Sequence, residues 1–258
     1  MTNNDSLKNV ASRLFKEQIC IRPLDERSLE IVLSYMNYYS SHNDLCRRMS
    51  DIELNYVQIS SDAENACENV IESNQAIISV FKNLIDQCRL SGYFSNYFFL
   101  ASDSDIDNIR SSYTTALEFV RNHLKLLSNS LLTISETAAQ IRACSASFGE
   151  IYKEVQLAIY AAMLNRDVEM ILDCRATSLQ SHASIKECEK LSSNLMGNAR
   201  NCTKIINCVN NTILQVNQQL KIDTFDYDRN AKISPMIANQ TISSAILAME
   251  NIKIEKYN

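Results

Sequence analysis

Apolar residues recur every seven positions along three long stretches of this chain, with polar and charged residues filling most of the positions between. In the first, Met49, Tyr56, Ala63, Val70, Ile77 and Leu84 form one row, and Ile52, Ile59, Ala66 and Val80 sit three residues further along. Seven residues make nearly two turns of an α-helix, so both rows share one side of a helix, which the pattern predicts over 42–90. Gly92 interrupts it. The segment Tyr93, Phe94, Ser95, Asn96, Tyr97, Phe98, Phe99, Leu100 then reads as a connection.

The second stretch repeats Ile106, Tyr113, Val120, Leu127, Ile134, Ile141 and Phe148, with Leu117, Leu124, Leu131 and Ala138 completing the seam. It predicts a helix over 103–147. Asp103 or Ser104 can cap its start, and Asp103, Asp105 and Asp107 suit the positive end of the helix dipole. A change of register at Gly149 predicts a break or bend there.

The third stretch has two rows. Leu157, Leu164, Ile171, Ser178, Ile185, Ser192, Ala199, Ile206, Ile213 and Leu220 form one; Cys174, Ser181, Cys188, Leu195, Cys202, Val209 and Val216 form the other. A junction near Asn165–Asp167 divides it into a short helix over 150–164 and a long one over 167–222. Val155 to Leu164 is apolar on most sides, which reads as a buried segment and as a second candidate interaction surface.

Before these stretches, Pro23 separates expected helices near 5–18 and 25–40. After them, 223–230 reads as a loop, and Ser234–Pro235 is a cap and first-turn pair for a C-terminal helix. The expected architecture is all-α: an elongated antiparallel bundle of long heptad-patterned helices with coiled-coil-like packing. It forms a single domain over 1–258, with short helices in 1–41, three long stretches in 42–222 and a last helix within 234–254. An intermolecular coiled coil would show the same heptads.

Composition supports this reading. Three glycines and two prolines in 258 residues fall far below the usual ~7% and ~5%, leaving little of the punctuation that hairpins need. The formal charge is −5 and no Lys/Arg run exceeds the pair Arg47–Arg48, so nucleic acid is not expected as a partner. No stretch has the apolar length of a membrane span, and the N-terminus lacks the apolar core of a secretion signal. A cytoplasmic location is the default expectation, with secretion routes that use no cleavable signal left open.

Nine cysteines then read as free thiols in a reducing compartment. Cys46, Cys67 and Cys88 are spaced by 21 residues, and Cys174, Cys188 and Cys202 by 14. Fourteen residues of helix rise ~21 Å, far beyond the ~4.4–6.8 Å that a disulfide spans between Cα atoms. These thiols read as small core residues. Four Asn-x-Ser/Thr sequons, at Asn4, Asn201, Asn210 and Asn239, are what so Asn- and Ser-rich a chain contains by chance.

The chemistry-bearing motifs fail on inspection. The glycines are too scattered for a phosphate loop, and there is no Cys-x-x-Cys, His-Glu-x-x-His or Glu-x-x-His. Asp226-x-Asp228-x-Asn230 and Asp103-x-Asp105-x-Asp107 open like calcium loops, but Ala231 or Asn108 stands where glycine is required and Ile237 or Thr114 where glutamate is. No cofactor, metal site or catalytic residue is expected.

What remains is a non-enzymatic helical scaffold or interaction protein, using long helix faces for self- or partner-assembly. The alternative is a membrane-active helical protein, such as a component of an all-helical pore-forming toxin. Its tip would be the aromatic segment, and the contact candidates are Tyr93, Phe94, Tyr97, Phe98, Phe99 and Leu100, whose rings suit protein interfaces and membrane boundaries.

Overall fold

The computed structural model describes residues 42–90, 103–220 and 235–256. They form four helices and no strand among the described residues: α1 (His42–Leu90), α2 (Asp103–Asn165), α3 (Val168–Leu220) and α4 (Pro235–Glu250). The chain is all-α, as its heptads and its scarcity of glycine and proline predict. The aromatic segment 93–100, the expected helices near 5–18 and 25–40, and the 223–230 loop lie outside the described residues.

Gly149 neither breaks nor terminates a helix. α2 runs through it for 63 residues, because the row that begins at Tyr113 continues past Phe148 to Val155 and Ala162, all buried. What changes is the companion row, and earlier than expected. Up to Ala138 the buried apolar companions stand four residues after row positions, at Leu117, Leu124 and Ala138, with the polar Ser130 and Thr137 already buried three after; from Cys144 all stand three after, at Cys144, Ile151 and Ala158. One glycine costs a helix only ~1 kcal/mol, which this continuous buried seam outweighs.

The true break is the expected junction. Arg166 adopts φ 55°, its N–H bonds to the Met163 carbonyl, and the Asp167 N–H bonds to the Ala162 carbonyl at 3.0 Å. That hydrogen-bond pair is a Schellman stop, in which glycine usually occupies the left-handed position. Asp167 then caps α3, its carboxylate accepting from the Met170 N–H at 3.1 Å.

The described residues divide into two compact units. Unit 1 comprises 42–59 of α1, 139–165 of α2 and 168–192 of α3. Arg48 pairs with Glu154 through two bonds, the shorter at 2.7 Å, and Asn55 donates to the Cys144 thiol; α2 therefore descends as α1 rises. Gln156 bonds Ser178, and Arg142 bonds Ser192, which sets α3 antiparallel to α2. Its core holds Leu45, Met49, Ile141, Phe148, Ile151 and Val155.

Unit 2 comprises 60–90 of α1, 103–138 of α2, 193–220 of α3, α4 and the tail to 256. Its core includes Phe81, Ile77, Tyr113, Leu117, Leu127, Ile134 and Leu195. α4 closes it with Ala238, Ile242, Ala245, Ile246 and Met249. Polar ties hold the ends. The Arg110 guanidinium donates to the Leu220 carbonyl, the Tyr113 hydroxyl donates to Asn239 at 2.7 Å, and Lys82 pairs with Glu250. Beyond α4, the buried Asn198 amide both accepts from the Glu255 N–H and donates to its carbonyl, each at 2.9 Å, fastening the tail to α3.

Candidate interaction surface

The thiols come first among the groups with chemical potential. Eight cysteines are described, all free, and six are buried. The row Cys174, Cys188, Cys202 occupies the inner face of α3, as its spacing predicts. Burial pushes Cys188 and Cys202 up to about 12 and Cys174 to about 11, and a neighbouring thiol adds to the shift in each: Cys144, Cys67 and Cys46 respectively. The reactive species is the thiolate, so at neutral pH these are inert packing groups.

Two histidines are similarly occupied. His123 packs on Phe119 with ring centroids 4.5 Å apart, and His182 on Tyr152 at 5.6 Å. Among the described residues no group of three His, Cys, Asp or Glu side chains is placed to hold a metal ion, and no helix is long and apolar enough to cross a membrane. An open groove in unit 2, between α3 and α4, is lined by Asn211, Thr212, Gln215, Ile237, Thr241 and the half-buried Cys208. It presents amides, hydroxyls and a thiol that burial pushes up, which is poor equipment for acid–base or nucleophilic work.

The sequon at Asn239 is closed to glycosylation in the folded chain, since Asn239 is buried against Tyr113. Asn201 donates to the Lys253 carbonyl at 2.8 Å, so a second sequon amide already serves the tail.

The unusual surface lies on α3 in unit 1. Val168, Leu172, Ala176, Leu179 and Ala183 are all exposed, with Leu172 at 60% and Leu179 at 73%. Spaced at i, i+4, i+8, i+11 and i+15, they fall within about 80° of the helix circumference. The opposite side carries the buried Cys174, Thr177, Ser178, Ser181, Cys188 and Ser192. This part of α3 thus turns cysteines, serines and a threonine inward, keeps Ile171 and Ile185 half-buried, and leaves Val168, Leu172 and Leu179 outward. At the end of α2, Tyr160 and Met163 are exposed as well, so the expectation that 155–164 is buried holds for Val155, Ala158, Ala161 and Ala162 and fails for its larger members.

Reading the sequence for heptad rows finds the inner seam and overlooks this second stripe. Its signal was present, as a five-member apolar run offset by about half a turn from the cysteine row. A stripe of exposed leucine and valine along one helix face is the usual mark of a surface that another apolar surface covers. Comparison with protein families, with characterised proteins and with solved structures finds no match to this chain.

Proposed function

We propose that this chain is a non-enzymatic helical interaction protein, and that the outward stripe of α3 is the face through which it packs against the apolar face of another helix. One observation carries the reading: Val168, Leu172 and Leu179 stand in solvent on the side of α3 opposite its core. Burying a leucine contributes roughly 1.5–3 kcal/mol relative to leaving it exposed, so covering two leucines and a valine supplies several kcal/mol to an association. Apolar anchors at i, i+4, i+7 and i+11 along the run Leu172, Ala176, Leu179, Ala183 also match how an amphipathic helix seats against a neighbour.

Hydroxyl-radical footprinting of the full chain tests the reading without presupposing the occupant. Leu172 and Leu214 are the same residue type with the same 60% exposure, so Leu214 of unit 2 is an internal reference. A docking face predicts Leu172 and Leu179 to be modified several-fold more slowly than Leu214 in solution. Equal modification rates would sink the proposal.

A further inference from the structure

We infer that the helix covering the stripe is the same stretch of α3 from a second copy of the chain, packed antiparallel about a two-fold axis. This rests on reading the stripe as a docking face and goes beyond it by naming the occupant and its register. Along the outer side of α3 in unit 1, Glu169, Leu172, Ala176, Leu179, Ala183 and Lys186 fall in line, and all six are exposed. They are separated by three, four, three, four and three residues, the alternating steps of a helix–helix seam.

Reversed, this row is its own complement. With the axis midway between Ala176 and Leu179, an antiparallel pair sets Glu169 against Lys186, Leu172 against Ala183 and Ala176 against Leu179, and symmetry repeats each contact in the other half. Every leucine faces an alanine, so the helices approach closely and their side chains interlock. Opposite charges close both ends. A parallel pair would instead set Glu169 against Glu169, Lys186 against Lys186 and alanine against alanine, so charge and size both select the antiparallel register. On the flanks of that register Asp173 faces Gln180 and Arg175 faces His182, and no two carboxylates meet.

Symmetry favours a second copy over an unrelated helix. Another partner would need the same order of base, small, large and acid along one face, whereas a copy of this chain supplies it by rotation. From Glu169 to Lys186 the seam runs ~26 Å of helix. One such seam, with two leucines from each copy, is smaller than the ~1,600 Å² interface of a tight complex, so the dimer is reversible and forms at roughly tens to hundreds of micromolar.

Sedimentation equilibrium of the full-length protein from low micromolar to millimolar concentration, with footprinting at both limits, tests this. The chain should dimerise, and as it does Leu172 and Leu179 should become several-fold slower to modify than Leu214. Leu172→Glu/Leu179→Glu should stay a helical monomer throughout. Glu169→Lys and Lys186→Glu each set like charges at both ends and should weaken the dimer by roughly fivefold or more, and the double variant Glu169→Lys/Lys186→Glu should restore it. A loss of helix stability from Glu169→Lys alone would not be repaired by the second change. Dimerisation that the single reversals leave unaltered, or that the double variant fails to recover, would overturn the antiparallel seam and keep the docking face. A monomer whose Leu172 and Leu179 are slow to modify at every concentration would place another occupant on the stripe, overturning the second copy and keeping the docking face. A monomer whose stripe is modified as fast as Leu214 would overturn both.

Discussion

The two units draw on the same three helices and solve the burial problem differently. In unit 2, α3 turns Leu195, Ile205, Val209, Ile213 and Val216 inward, and α4 closes the core. In unit 1 the same helix turns cysteines, serines and a threonine inward and leaves Val168, Leu172 and Leu179 outside. α2 follows the same division. In unit 2 its buried positions include Ser130 and Thr137 beside Leu117, Leu124 and Ala138; in unit 1 Tyr152 and Ile159 are only half-buried. A helix surrounded by more neighbours has more of its circumference to fill, and this chain puts its bulk where the neighbours are.

Core truncation should separate the units most sharply. Phe81→Ala removes a fully buried ring from unit 2 and should cost about 3–5 kcal/mol, seen as a lower urea midpoint with exchange accelerated first in 60–90 and 235–250. Ser181→Ala is the counterpart in unit 1. Its hydroxyl is buried but returns its bond to the Ser178 carbonyl of its own helix, so its loss should change stability by less than about 0.5 kcal/mol.

Next in size is the tail tie of unit 2. Asn198→Ala removes both bonds to Glu255 and should cost roughly 1–3 kcal/mol, with exchange at Glu255 approaching the unprotected rate. The corresponding change in unit 1 acts at its turn. Arg166→Gly relieves a left-handed conformation that costs a residue with a side chain roughly 1–2 kcal/mol, and should raise thermal stability by up to about 1 kcal/mol after the glycine's added unfolded-state entropy.

The thiols give a pH test common to both units. Cys174, Cys188 and Cys202 have folded values of about 11, 12 and 12, raised from an ordinary value near 9. A raised folded pKa means that the stabilisation is complete below pH 9, where both states hold the proton, and is lost as the pH rises from 9 toward 12, where the unfolded chain releases protons first. Denaturant midpoints should therefore fall across that window. A triple Cys→Ala variant should show a shallower fall; an identical slope would show that these thiols do not contribute to it.

Much of the fold was legible because heptad patterning is a local signal that core burial enforces. The 42–90 helix matches α1, the 167–222 helix matches α3 within two residues, and α4 begins at Pro235, the expected first-turn residue. The buried cysteine row followed from spacing alone. The break expected at Gly149 from a change of register does not occur, because the companion row shifts while the main row from Tyr113 through Phe148 to Ala162 passes unbroken.

By itself, then, the sequence determined the helical class, the two longest inner seams, the turn at Asn165–Asp167 and the lack of known catalytic spacings, since each is written in residues near one another along the chain. The tertiary structure alone decided which rows face a neighbour and which face water. Periodicity states that a helix has an apolar side, while the number and placement of the other helices decide whether that side is filled. That is why the cysteines of α3 lie inside, its leucines outside, and why the stripe from Val168 to Ala183 became visible only once the helices were packed.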